Sequence, residues 1–114
     1  MLIQLYKGTV ENAIPALTAG TTTSVAKHSK GHNALIVFAN ITGTGAWTIK
    51  IQGATSKNGT YLDLYDQNGN QVTTGSISGD RAQFFVGLPN YFKIVATEDT
   101  NGATIQVDYE LLSV

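Results

Sequence analysis

Two histidines stand four residues apart in the run Lys27-His28-Ser29-Lys30-Gly31-His32. A pair at that spacing can share a metal ion when both rings project from one helical face. Gly31 and the alternating pattern around the run argue against a helix, and no acidic residue lies nearby to complete a ligand set. The run therefore reads as a solvated loop between strands. A basic contact patch of Lys27, His28, Lys30 and His32 is the alternative to that loop reading. Asp66, Asn68 and Asn70 occupy the first, third and fifth places of a calcium loop. Such a loop also needs glycine at its sixth place and glutamate at its twelfth, where this chain has Gln71 and Ile77. A polar hairpin turn is the better reading.

Covalent chemistry finds no support. Gly75-Ser76-Ile77-Ser78-Gly79 imitates a nucleophile elbow, but its central residue is isoleucine. There is no cysteine, and His28 and His32 are the only histidines available as bases. The carboxylates Asp63, Asp66, Asp80, Glu98, Asp99, Asp108 and Glu110 are scattered, and nothing singles out a pair for general acid–base work. The expectation is a protein without catalytic residues, metal or cofactor. Tyrosine is the remaining functional side chain. Tyr61 and Tyr65 share a face with Asp63, opposite Leu62 and Leu64, and Tyr91 lies on the polar face of a later strand. If the leucines point inward, the tyrosines face out, where they can stack on sugar rings or anchor a protein contact.

The elements that would carry these residues are strands. Trp47, Ile49 and Ile51 alternate with Thr48, Lys50 and Gln52. Ile105, Val107, Tyr109 and Leu111 alternate with Thr104, Gln106, Asp108 and Glu110. A period of two with one dry and one wet face is the mark of an antiparallel sheet. Ala34–Ala39 is apolar on both faces and reads as a central strand. Tyr91–Ala96 and Arg81–Leu88 are further strands, with weaker ones at Ile3–Gly8 and Thr21–Lys27. Asn58-Gly59, Asn68-Gly69 and Asn101-Gly102 predict type I′ hairpin turns between neighbouring strands. Short strands at this spacing argue for an antiparallel β-sandwich, jelly-roll or immunoglobulin-like, in a single all-β domain of 114 residues. Leu35, Val37, Trp47, Ile49, Ile51, Phe92, Ile94, Ile105 and Val107 are its expected core. Residues 21–114 form the sandwich. Residues 1–20, whose stretch from Val10 to Gly20 is the least patterned, are expected to form an N-terminal strand or arm that can engage another subunit.

Charge narrows the partners. Seven basic residues face eight acidic ones for a net charge of −1, a poor match to nucleic acid or an anionic membrane. No stretch approaches the apolar length of a membrane span, and no targeting segment is evident. Charged residues make up only 13% of the chain, against about a quarter in an ordinary domain. The surface must be largely Thr, Asn, Gln, Ser and Gly, which repels neighbours weakly and suits close packing in an assembly.

Four segments together are family-like: Ile49–Gln52, the strand start Gly59-Thr60-Tyr61, Pro89–Ile94 and the closing hairpin Gly102–Leu111. In these the chain resembles small accessory structural proteins of tailed bacteriophages and prophages. The likeness spans roughly Leu35 to Leu112. It implies a β-sandwich of the virus particle, made in the bacterial cytoplasm and residing in the virion. Its role there would be head decoration or cement, as a homo-oligomer, a trimer by analogy, seated on the major capsid protein or another virion protein. Tyr61, Asp63, Tyr65, Tyr91, Lys27, His28, Lys30 and His32 are the candidate contact surface. The alternative is a carbohydrate-binding β-sandwich module of a phage tail or cell surface, with Tyr61, Tyr65 or Tyr91 as platforms.

Overall fold

The apolar run Ala34–Ala39 and the period-two patterns of residues 46–52, 91–96 and 104–111 build the four longest strands, and these organise the fold. The structure, a computed structural model, describes residues 6–7, 11–17 and 20–114. Its strands are β1 (Tyr6–Lys7), β2 (Glu11–Leu17), β3 (Thr21–Thr23), β4 (Lys27–His28), β5 (Ala34–Gly43), β6 (Ala46–Ala54), β7 (Leu62–Asp63), β8 (Thr73–Ile77), β9 (Arg81–Val86), β10 (Tyr91–Thr100) and β11 (Ala103–Ser113). They form two antiparallel sheets. The first has the order β1-β11-β5-β9, with β2 also on β11. The second has the order β3-β10-β6-β7, with β4 also on β10 and β8 also on β6. The chain is thus an all-β sandwich, as its patterning implies.

The two long segments stay paired as they change sheets. β5 pairs with β11 from Ala34↔Leu112 to Gly43↔Ala103. β6 pairs with β10 from Ala46↔Thr100 to Ala54↔Tyr91, with one register shift between Glu98 and Thr100. Residues 43–45 and 101–102 are the corner where this ribbon folds over itself, stitched by Thr44 N–H donating to the Gly102 carbonyl at 3.1 Å. Asn101-Gly102 therefore does not join hairpin partners, contrary to the sequence expectation. It carries the chain from one sheet to the other. Nor are the Asn-Gly turns type I′, because the asparagines keep negative φ and Lys30 is the non-glycine residue with positive φ among the described residues. Asn58-Gly59 does lie between antiparallel neighbours, β6 and β7.

The facing sides of the sheets meet in one core. From the first sheet come Leu35, Val37, Ile105 and Val107, and from the second Trp47, Ile49, Ile51, Phe92 and Ile94, each at most 1% exposed. All nine are the residues whose alternation placed them inward. Burying each aliphatic or aromatic side chain contributes about 1.5–3 kcal/mol. At the corner end the Trp47 indole Nε1–H donates to the Ala103 carbonyl across the sandwich at 3.1 Å. At the other end Phe92 and Tyr109 meet edge to face, with centroids 5.9 Å apart.

Three local expectations change. Glu11–Leu17, unpatterned in sequence, pairs with β11, and Ile14 enters the core. Pro15 has no N–H to give a ladder, and the pairing slips beside it, between Ile105 and Asp108 of β11. The Thr21–Lys27 strand is split. Between β3 and β4, Ser24 uses its own hydroxyl, which accepts from Ile94 N–H at 3.0 Å where a ladder carbonyl would otherwise stand. On β11, Glu110 lies on the face expected to be wet and is nonetheless buried. Of the weak N-terminal strand Ile3–Gly8, Tyr6–Lys7 is described and pairs with β11. The rest lies outside the described residues.

Candidate binding surfaces

β10, β6 and β7 align a row of polar residues on the outer face of the second sheet. Lys93 is opposite Gln52, and Gln52 is opposite Asp63. The Asp63 carboxylate accepts from Gln52 Nε2 at 3.0 Å and pairs with Lys50 Nζ at 3.0 Å. The Gln52 hydrogen bond first, and then the Lys50 ammonium by hydrogen bond and charge, hold the Asp63 carboxyl below the ordinary aspartate value of 3.8. Tyr61 is half-buried. Its hydroxyl donates to the Lys57 carbonyl at 2.8 Å, and the Lys93 ammonium sits over its ring at 4.2 Å from the centroid. Tyr91 extends the face, its ring edge-on to His28 at 4.8 Å. Tyr61, Asp63, Tyr91 and His28 thus share one surface.

Of the other sequence candidates, Lys30 adjoins this surface beside His28, and Lys27, His32 and Tyr65 lie elsewhere. Lys27 is opposite Phe92, and its ammonium lies 5.5 Å from the Tyr109 ring centroid, so it caps the core end. The run expected to be a loop is in part the strand β4, because Lys27 and His28 continue the β10 ladder. Lys30 N–H donates to His28 Nδ1 at 2.8 Å. His32 Nδ1 bonds Ser113 Oγ at 2.9 Å, and neighbouring Asn33 both donates to and accepts from the Val114 backbone. The two histidines therefore serve different structural tasks: one packs on Tyr91 and the other helps pin the end of β11.

The Asp63 pair makes a pH prediction. A depressed folded-state pKa means that the carboxylate stabilises the fold above the unfolded value. That contribution is lost as pH falls through the lower folded value. The window lies below 3.8. Because the pair is partly exposed, its effect is small and salt-sensitive. Asp63→Asn should lower the urea midpoint at about pH 6, and the gap to wild type should close near about pH 2. A gap that stays constant between the two would contradict the pairing.

Tyr65 stands apart, 61% exposed, where the chain leaves β7. Leu62, expected inward, is 66% exposed, while Leu64 packs on the core. The inward–outward alternation fails here because regular pairing stops at Leu62–Asp63 and resumes only as the single bridge Tyr65↔Gln71. Between them the chain makes a tight turn. Asp66 Oδ1 accepts from the Asn68 and Asn70 amides, each at 2.9 Å. Its oxygen thus serves the turn, which explains the calcium-like spacing without invoking an ion. Among the described residues no three His, Cys, Asp or Glu stand together as metal ligands.

This turn faces β9 across an open cleft. One hollow of about 450 Å³ is bounded by Tyr65, Gln67 and Asn68 on one side and Val86 and Gly87 on the other. A second, of about 300 Å³, adjoins it between Gln71 and Thr73 and the β9 residues Gln83 and Phe84. Sequence reasoning missed this cleft, whose walls are some twenty residues apart in the chain. One signal was available: Phe84 and Phe85 are adjacent in a strand, so one must face out, and Phe84 is 47% exposed.

No protein-family model matches the chain, and no curated protein matches it in sequence. One solved structure superposes over nearly its full length and shares the β-sandwich fold, and two others align more loosely. A crystal structure of the SPBc2 prophage-derived protein YomS superposes with a TM-score of 0.61 at 19% identity, covering 99% of this chain and 98% of YomS. A family two carbohydrate esterase from Cellvibrio japonicus gives a TM-score of 0.49 at 10% identity, with 97% of this chain and 35% of the esterase covered. CsCBM6-3 from Clostridium stercorarium, in complex with cellobiose, gives 0.41 at 18% identity, with 97% and 86% covered.

Proposed function

We propose that this chain is a non-enzymatic structural protein of a phage or prophage particle. In this reading it binds the head lattice as a homo-oligomer and stabilises it. The observation that carries the reading is the end-to-end likeness to a prophage-derived protein, in which each chain covers nearly all of the other. The charge-poor surface supports it, as does the outer face that gathers Tyr61, Tyr91 and His28, since aromatic residues are enriched at protein contacts. Decoration would work through many copies of a weak contact, so that avidity over the shell replaces affinity at one site. The expected N-terminal arm would link subunits only through what precedes β1, since β1 and β2 pair with β11 of the same chain.

The test is co-sedimentation of the purified protein with capsids that lack it, together with light scattering for its oligomeric state. Binding should saturate at a fixed number of copies per capsid. Simultaneous alanine substitution of Tyr61, Tyr91 and His28 should reduce it. Deleting residues 1–20 would also strip β2 and Ile14 from the sandwich. A deletion of residues 1–5 leaves β1 and β2 in the chain and should weaken attachment. A monomer that binds no capsid at any concentration would end this reading.

A further inference from the structure

We propose that the cleft between β9 and residues 64–73 is a binding site for a neutral saccharide chain. This goes beyond the virion reading and does not depend on it. The two hollows share Asp66, Val72 and Val86 as walls, so they form one continuous trough of a size suited to small ligands. A sugar ring presents an apolar C–H face and a rim of hydroxyls, so it needs an aromatic platform beside groups that both donate and accept hydrogen bonds. Tyr65 and Val86 supply exposed apolar surface, at 61% and 56% exposure. The carboxamides of Gln67, Asn68 and Gln83 supply paired donors and acceptors along the trough, and Gln71, whose Nε2 donates to Asp63 Oδ2 at 3.4 Å, adds its carbonyl oxygen.

Two features set the ligand class. Among the described residues no lysine, arginine or histidine lines either hollow, and the charge there is the Asp66 carboxylate, so phosphate, sulfate and acidic sugars are disfavoured. The Asp66 turn also holds Gln67 and Asn68 in place before any ligand arrives, because two backbone amides are fixed on one carboxylate oxygen. That preorganisation lowers the ordering cost of binding. The free side of β9 could instead accept an extended peptide. The turn, however, stands across the trough from Val86 and Gly87 and interrupts the slot that a full strand would need.

The experiment is isothermal titration of the intact protein with maltotetraose, cellotetraose and chitotetraose, backed by an array of neutral glycans. At least one neutral chain should bind, with an affinity unchanged between low and high salt. Tyr65→Ala should weaken it about tenfold or more, the scale expected for loss of an aromatic anchor. Tyr61→Ala should leave it unchanged, since that ring is covered by Lys93 on the outer face of the second sheet. Circular dichroism must show both variants folded. Absence of binding to every neutral chain overturns the proposal, as does equal binding by Tyr65→Ala. Binding of a synthetic alternating Val-Thr peptide, with no sugar bound, would also overturn it and assign the trough to a peptide.

Discussion

Trp47→Ala should cost about 3–5 kcal/mol, a large part of the roughly 5–15 kcal/mol that holds a domain of this size together. Three terms add at one residue. The indole is fully buried, so its apolar surface returns no benefit elsewhere when removed. The hole lies between two sheets fixed by ladders on both sides, so neighbours can close it only in part. The indole N–H also satisfies the Ala103 carbonyl, and alanine leaves that oxygen without its donor. Trp47→Phe separates the terms: it keeps most of the volume but loses the hydrogen bond, and should fall between wild type and alanine. Because Trp47 is the only tryptophan, unfolding of the alanine variant must be followed by circular dichroism rather than fluorescence. A variant that melts with wild type would mean the indole is not a core residue.

The same residue shows what was legible in the sequence. Trp47, Ile49 and Ile51 alternate with polar residues, and period two is a direct consequence of strand geometry, so which face is buried can be read without knowing the partner strand. That logic recovers the core and the β-sandwich class. It fails wherever the backbone stops being a regular ladder. Leu62 follows the pattern on paper, but only two residues of that segment pair, and its side chain faces solvent. Asn101-Gly102 signals a turn correctly. Turn residues specify local φ and ψ, however, and not whether the next strand returns to the same sheet. The cleft was hidden for a third reason. Its walls, the turn at Asp66 and the edge at Gln83–Gly87, are brought together by stacking of the sheets, which leaves no mark of spacing in the chain.

The corner yields a second large effect, from a residue with no side chain. Gly43→Ala should destabilise the fold by more than about 3 kcal/mol and broaden or abolish cooperative unfolding. Gly43 has φ of 114°, a region that an L-residue enters only with strain. More decisively, a Cβ there would run into the carbonyl oxygen of Gly102 and approach the Ala103 Cα to 3.0 Å. Both obstacles are backbone, so no rotamer change relieves them. The opposing strand would have to move, and that strand is where β10 passes into β11. Since both pairs of long strands turn this corner together, a shift there disturbs the β5–β11 and β6–β10 registers at once. Gly87→Ala provides the control. Its φ is 96°, yet no atom of the described residues lies within 4 Å of the added carbon, so it carries the conformational cost without the collision. That cost alone should be about 1–2 kcal/mol. Urea unfolding of the two variants side by side measures the difference. Equal losses would show that the corner has room to open and that the folded ribbon is not held by close approach at Gly43.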